Sequence, residues 1–336
     1  MEENRTFRDR YMAGETDFEE IFSLTGKWNF SDDTRTLREF LGLTPEEEDV
    51  WISESDEALE DLMEKEKNTR ILFVDLDGTL LNDKKEITEK NRRAVDDALA
   101  RGHKIVITTG RPTVSARRLS RELGLVKDGC FAIAYNGGEI YDLYREKSVY
   151  RRTIPLEYVK KVFEEAKKRG LHCQTYNDEN ILIEKETEEV KRYQKMTNVT
   201  AVVVPDVIEA LKGREPVKLI VMDYEDHNKL VAFEEETKEW ADGKLDRIFS
   251  CAAYLEHVAP GVSKGSAMSI LCEKLGIPMC NTIAAGDAPN DVSMIEAAAV
   301  GVVMQNAPED IKSCGDYVTE ADNNHDGIAE VIERFM

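Results

Sequence analysis

From Arg70 onward the apolar residues fall into two alternating patterns. Ile71-Leu72-Phe73-Val74 is a short continuous apolar run, as in strands buried on both faces of a parallel sheet. Thr88 is placed to cap a helix whose stripe is Ala94, Val95, Ala98 and Leu99, closed by Gly102. Lys104 to Thr109 reads as a second strand, Thr113 to Leu123 as a helix closed by Gly124, and Cys130 to Tyr135 as a third strand. Strand, helix, strand, helix, strand implies right-handed crossovers and a doubly wound parallel sheet. Asn136-Gly137 predicts a type I′ hairpin, with Ile140 and Tyr141 on the return strand.

Between about Thr153 and Cys251 the periodicity continues, but no strand ends in a comparable set of polar residues. Val159, Val162, Phe163 and Ala166 form one helix face, Ile181 to Ile183 and Lys218 to Met222 read as strands, and His227 to Trp240 as a helix. This is the pattern of an inserted α+β domain. The first sheet then resumes, with helix Ser263 to Leu275, strand Thr282 to Ala285, helix Asp291 to Ala298, strand Val300 to Met304 and closing helix Gly327 to Phe335. Upstream, Asp17 to Leu24, Thr34 to Leu43 and Ser53 to Met63 carry apolar residues at helical spacing, which predicts three short helices, and Thr44-Pro45-Glu46-Glu47 looks like an N-cap followed by an acidic first turn.

Composition changes this picture in two places. The net charge of −22 is uneven: residues 1–66 hold 21 acids and 7 bases, whereas the remaining 270 hold 46 and 38. The chain therefore has an acidic head and a nearly balanced body. That excess argues against nucleic acid and against membrane surfaces as partners, since both require clustered Lys and Arg. No run approaches the roughly 20 apolar residues that cross a bilayer, and the first residues show no leader pattern, so the expected location is cytoplasmic. The six cysteines show neither CxxC pairs nor finger spacing, and read as inert free thiols.

The candidate chemistry sits at strand ends. In Asp75-Leu76-Asp77-Gly78-Thr79 the period of two sends both carboxylates to one side where the strand stops, and Gly78 permits a tight departure. Like charges that close are costly without a cation or a shared proton, which suits a magnesium-bound nucleophile beside a general acid/base. Asp-Gly is also an ordinary turn pair. Gly286-Asp287-Ala288-Pro289-Asn290-Asp291 repeats the pattern, with Asp287 as a further metal carboxylate, although Asn290 and Asp291 also fit plain helix capping. Thr109-Gly110-Arg111 offers a hydroxyl and an exposed loop to a phosphate. Lys264 opens a helix, where a cation opposes the dipole, and so calls for an anionic partner, a phosphate or an aspartate.

DLDGTLL (75–81), TTGRP (108–112), VSKG (262–265) and GDAPND (286–291) resemble the four ordered motifs of the haloacid dehalogenase (HAD) superfamily. The long stretch between the second and third has room for the cap of its Cof-type phosphatases, and YNGGEIYD, AYLEHVAPGVSKG and TEADNNHDGIAEVIE are similar to Cof-type sequences as well. The resemblance covers about residues 68–336 and implies an α/β, Rossmann-like core of residues 67–152 and 252–336, an α+β cap of 153–251, and a helical extension of 1–66 outside the family core. It implies a phosphatase in which Asp75 is the nucleophile and forms an aspartyl phosphate, while Asp77 is the acid/base. Mg²⁺ would be held by Asp75, Asp287 and the Asp77 carbonyl. Thr109, Lys264 and Asn290 would bind phosphate, with Gly110 and Asp291 supporting, Asp291 through Lys264. A small phosphorylated metabolite is the implied substrate, sugar phosphates ahead of cofactor phosphates. Asp77 argues against dehalogenase chemistry, which lacks this acid/base in that family. Gln305 stands where similar sequences often place Gly, so a differently shaped loop is expected there. A phosphosugar mutase using the same aspartates and a noncatalytic partner-binding protein are the alternatives. Residues 1–66 read as a docking or self-association module, or as a plain stabilising extension. Arg111 and Asn136 are candidate substrate contacts whose plainer readings are a surface arginine and a turn.

Overall fold

The computed structural model describes residues 5–336, which fall into two compact units, one running through Ile71 with Cys272–Thr282 added and the other comprising the rest. The first unit contains five helices, α1 Phe7–Met12, α2 Glu20–Asn29, α3 Leu37–Leu41, α4 Pro45–Ser53 and α5 Asp56–Asn68. The apolar spacing predicted three. The two extra helices, α1 and α4, carry too few apolar residues to set a stripe of their own, and capping chemistry marks them better than periodicity does. Thr6, Thr36 and Thr44 each form a reciprocal capping box with an acid three residues on, Asp9, Glu39 and Glu47. Phe7, Phe18, Ile21, Leu41, Leu59 and Met63 form a buried cluster among them. Beside it Arg8 pairs with Glu47 at 2.8 Å and Glu66 at 2.6 Å, so the fully buried Glu47 carboxylate is compensated.

The second unit carries most of an eight-stranded sheet built on β1 Ile71–Asp75, β2 Lys104–Thr108, β3 Cys130–Ala134, β4 Glu139–Asp142 and β5 Lys147–Arg151, with α6 Glu89–Ala100 and α7 Thr113–Glu122 as crossovers. A six-stranded sheet is inserted next, made of β6 His172–Tyr176, β7 Ile181–Ile183, β8 Ala201–Val203, β9 Lys218–Met222, β10 Asp246–Cys251 and β11 Tyr254–Val258. Its helices are α8 Leu156–Lys168, α9 Glu188–Thr197, α10 Val207–Leu211 and α11 His227–Ala241. The chain returns to the first sheet through α12 Lys264–Leu275, β12 Thr282–Gly286, α13 Val292–Ala297, β13 Val300–Val303, α14 Glu309–Lys312, β14 Tyr317–Val318 and α15 Gly327–Phe335.

The first sheet has the order β14-β13-β12-β1-β2-β3-β4-β5, and the second β10-β11-β9-β6-β7-β8. Strands β2/β3, β12/β13 and β13/β14 are parallel, so the doubly wound expectation holds, with an antiparallel edge at β3/β4 and β4/β5. Every residue of β1 and β12 is buried, which places the two acid-bearing strand ends at the middle of the sheet. Two boundaries differ from the sequence reading. The second sheet runs to Val258, past 251, because β11 pairs with both β9 and β10. The turn Ala252-Ala253 between them carries no Gly, Pro or Asn to announce it. The hairpin at 134–139 has a four-residue loop, not a type I′ pair: Ala134 faces Glu139, and Tyr135, Asn136 and Gly137 all have positive φ.

One buried group makes the inserted sheet's stability depend on pH. His257 on β11 is 1% exposed, hydrogen-bonds the Leu255 carbonyl at 3.2 Å and packs against the Phe233 ring. Burial pushes its pKa down to about 3, so the unfolded chain binds a proton between that value and about 6.5 that the folded chain refuses. Stability from this group is complete above about pH 6.5 and lost as pH falls, by at most about 1.4 kcal/mol per unit. Urea unfolding at pH 7 and pH 5 should show a larger loss for wild type than for His257→Phe, and equal losses would refute this account.

Candidate active site

Strand β1 delivers Asp75 to its carboxyl end, where the chain turns back on itself: the Leu80 amide donates to the Asp75 carbonyl and the Leu81 amide to that of Leu76. Gly78 makes the turn with φ of 91°, and a Cβ there would lie 2.5 Å from Asp287 Oδ2, so the residue must be glycine on both grounds. From the neighbouring strand end, Asp287 accepts a hydrogen bond from Thr79 Oγ1 at 2.8 Å. Asn306 Nδ2 donates to the Gly78 carbonyl at 2.8 Å and fastens the same turn from the loop that contains Gln305.

Lys264, at the start of α12, donates to Asp75 Oδ1 and to Asp291 Oδ1, each at 2.5 Å, and its side chain has no exposed surface. The two aspartates are the anionic partners that its position in a first helical turn requires. The other oxygen of Asp291 accepts the backbone amides of Asp287 and Ala288 at 3.1 and 3.0 Å, which fixes the loop carrying Asp287. Three carboxylates, Asp75, Asp287 and Asp291, thereby offer oxygens within 4.8 Å of one another. Burial pushes Asp75 up to about 7 against the pull of Lys264, and burial also raises Asp287 despite its bond from Thr79. Burial alone would depress the Lys264 ammonium, but Asp75 and Asp291 hold it above its ordinary value.

These donors fit a hard divalent cation such as Mg²⁺, which takes carboxylate oxygens and relieves crowded negative charge. Asp291 is committed to Lys264 and two amides, so Asp75 and Asp287 are the carboxylates left for an ion.

The Asp77 side chain has other partners. Arg111 binds it with two nitrogens at 2.9 Å each, and Lys85 Nζ approaches at 2.8 Å. Burial works against its charge, but Lys85 and Arg111 outweigh that and hold the carboxyl below the usual range. Arg111 is therefore no plain surface arginine. Thr109 is buried and its hydroxyl accepts the Arg111 amide at 3.1 Å, which orients the loop. Asn136 is both a turn residue, with φ of 56°, and a bridge that accepts from Asn290 Nδ2 at 3.1 Å.

A cavity of about 440 Å³ lies over this array, lined on one side by Asp75, Asp77, Thr109, Gly110, Arg111 and Asn290 and on the other by Tyr193, Met196, Cys251, Tyr254 and Glu256 of the inserted region. Sequence reasoning missed the second wall. It also missed the clamp beside it, in which Lys218 Nζ, on a side chain 1% exposed, donates to the Gly110 carbonyl at 3.0 Å and to Glu256 at 3.1 Å. The available signal was a Lys opening the apolar run KLIVM and a Glu inside YLEHV, charged residues where strands are otherwise buried.

A family model described as haloacid dehalogenase-like hydrolase matches residues 72–332. The 5-amino-6-(5-phospho-D-ribitylamino)uracil phosphatase YcsE of Bacillus subtilis (strain 168) is 30% identical over 269 residues, which span 80% of this chain and 96% of that protein. The structure of a haloacid dehalogenase-like hydrolase from Bacteroides thetaiotaomicron superposes with a TM-score of 0.74 at 33% identity, over 80% of this chain and all of that one. That of the HAD subclass IIB sugar phosphatase BT4131 gives 0.63 at 27% identity, over 80% and 99%. The chain belongs to the haloacid dehalogenase-like hydrolases, and its fold is the family's Rossmann-like core with an inserted cap. Within that family it is a phosphoric monoester hydrolase.

Cation binding can be read without turnover. A ligand held only by the folded chain, at a hundred times its Kd, stabilises by about 2.7 kcal/mol. Adding Mg²⁺ should raise the thermal midpoint of wild type, and Asp287→Asn should remove most of that rise. An equal rise in both proteins would place the ion elsewhere.

Proposed function

We propose that this chain is a cytoplasmic, Mg²⁺-dependent phosphatase of small phosphorylated metabolites, working through an aspartyl phosphate on Asp75, with sugar phosphates favoured and cofactor phosphates next. The observation that carries the reading is the convergence of Asp75, Asp287 and Asp291 at two adjacent strand ends, with the buried Lys264 paired to the first and the last of them. The named relatives support a small-molecule ester: one is called a sugar phosphatase, and the other is named for a phosphorylated ribityl chain on a uracil ring. The cavity volume of about 440 Å³ suits the same class. Among the described residues no helix is long and apolar enough to cross a membrane.

The side chains divide the work as follows. One Asp75 oxygen attacks phosphorus in line, and the bond to the ester oxygen breaks as that oxygen takes a proton from Asp77. A water that gives its proton back to Asp77 then attacks the phosphorus of the aspartyl phosphate, releasing inorganic phosphate and restoring Asp75. To serve in the first step, Asp77 must leave Arg111 and Lys85 and take up a proton, which couples its acid form to rearrangement at the cavity mouth. Thr109 and Asn290 line the cavity where they can hydrogen-bond the transferred group, and Lys264 neutralises its charge. Mg²⁺ held by Asp75, Asp287 and the Asp77 carbonyl would supply further charge neutralisation to the phosphoryl oxygens.

The test is phosphate release from a panel of sugar, nucleotide and cofactor phosphates, with Mg²⁺ and with EDTA. Wild type should release phosphate only with the metal, and Asp75→Asn should lower kcat by about a thousandfold or more while keeping its fold. Release that needs a bisphosphate activator would favour the mutase. No release from any ester by folded wild type would favour the partner-binding alternative.

A further inference from the structure

Behind the cavity wall formed by the inserted region runs a buried chain of hydrogen bonds that all point one way. The Thr187 hydroxyl accepts the Val190 amide and lies 2.8 Å from His172 Nδ1. His172 Nε2 then faces Gln174 Oε1 at 3.3 Å. Gln174 Oε1 can only accept, so Nε2 donates to it, and in an imidazole kept neutral by burial Nδ1 is then left to accept the Thr187 hydroxyl. Gln174 uses its amide nitrogen to donate to the Tyr176 hydroxyl at 2.8 Å, and Tyr176 donates to the Tyr193 hydroxyl at 2.7 Å.

The direction of the chain has a consequence at its end. Tyr193 has its oxygen occupied by the proton of Tyr176, and its own proton goes to no acceptor among the described residues. The side chain is 3% exposed and lines the cavity, and its ring is held edge-on against Tyr254 at 5.7 Å. A donor that is buried, oriented and unpaired costs free energy until something accepts from it. On the phosphatase reading the reacting phosphoryl group has Thr109 and Asn290 at the opposite wall and Lys264 behind it, so the acceptor belongs to the rest of the ester.

We propose that Tyr193 is a specificity-determining residue: its O–H, which has no acceptor among the described residues, hydrogen-bonds an acceptor atom, a carbonyl or hydroxyl oxygen or a ring nitrogen, on the alcohol portion of the substrate. Gln174 and Tyr176 are positioning residues that fix the direction of that proton. The inference rests on the phosphatase reading and deepens it, because it selects esters whose leaving group carries such an atom over esters of the same shape that lack it. A site built around a hydrogen bond rejects the analogue without it far more strongly than an apolar pocket does.

Two matched pairs of esters test this: pyridoxal 5′-phosphate against benzyl phosphate, and glucose 6-phosphate against cyclohexylmethyl phosphate. Wild type should prefer the acceptor-bearing member of at least one pair. In that pair, Tyr193→Phe should lower kcat/KM for the acceptor-bearing ester about tenfold more than for its analogue, the size of one lost hydrogen bond, and chiefly through KM. Tyr176→Phe should raise KM in the same selective way by a smaller factor. If Tyr193→Phe, which strands the Tyr176 proton, fails to fold, the Tyr176→Phe/Tyr193→Phe double variant removes both partners and carries the same expectation. Equal losses on both members, no selective loss, or a wild type without preference in either pair overturns the proposal. Wild type that releases phosphate from none of the four esters is a separate result, one that overturns the phosphatase reading and this inference with it.

Discussion

Lys264 is an ammonium without exposed side-chain surface, 2.5 Å from the carboxylates of Asp75 and Asp291, and the arrangement of the catalytic end of the sheet depends on it. A buried cation is tolerable only when paired, and buried carboxylates only when a cation or hydrogen bonds reach them. Here one Lys serves two acids that arrive from strand β1 and from the loop after β12, so the two strand ends cannot separate without stranding a charge. Asp291 carries the constraint further, since its second oxygen holds the amides of Asp287 and Ala288. The third acid is thereby placed within 4.8 Å of the other two, although Lys264 does not touch it. The negative charge left over is what suits the site to a divalent ion.

A second buried cation does the analogous task for the cavity's far wall. Lys218 joins the Gly110 carbonyl, in the loop that also holds Thr109 and Arg111, to Glu256 on the second sheet. The residues that would contact phosphate and those that would contact the remainder of the ester are thus tied by one ammonium. Arg111 has a different status, because its partner Asp77 is 37% exposed at the side chain and held in part by Lys85, itself well exposed. These pairs are more exposed than those of Lys264, so solvent screens them more. The contrast fits the proposed roles: the groups that would stay fixed are paired in the interior, and Asp77, the proposed acid/base, is paired at the edge.

The parts of this design that were legible in the sequence are those that local rules control. Continuous apolar runs located the strands, and the misplaced charge of Lys264 at a helix start announced an acidic partner before any partner was visible, whereas the period of two does not extend past Asp75, where the strand ends, and Asp77 turns to Arg111 and Lys85 instead of joining the acidic cluster. What escaped is what the fold brings together from a distance. Arg111 is 34 residues from Asp77, and Lys218 is 108 from Gly110, spacings for which periodicity has no signature. The loop at 135–138 escaped for another reason: Asn136-Gly137 has the composition of a tight hairpin, but the packing admits a wider turn in which Gly137 passes the Ser263 carbonyl so closely that a Cβ would sit 2.1 Å from it. Tertiary contact there overrides the local preference.

The same division explains why the reaction is easier to read than the substrate. Chemistry at the phosphoryl group needs particular residue types at strand ends, and these sit in short contiguous motifs. The opposite wall, to which the proposal assigns selection of the alcohol portion, has its Tyr193, Met196 and Tyr254 on a helix and a strand with ordinary apolar periodicity. Nothing in RYQKM or AYLEH separates a tyrosine that fills a core from one that lines a cavity with its oxygen already taken by a neighbouring donor. That distinction lies in the direction of the bonds behind it, running from Gln174 through Tyr176, and direction is a property of the folded network, not of any residue within it.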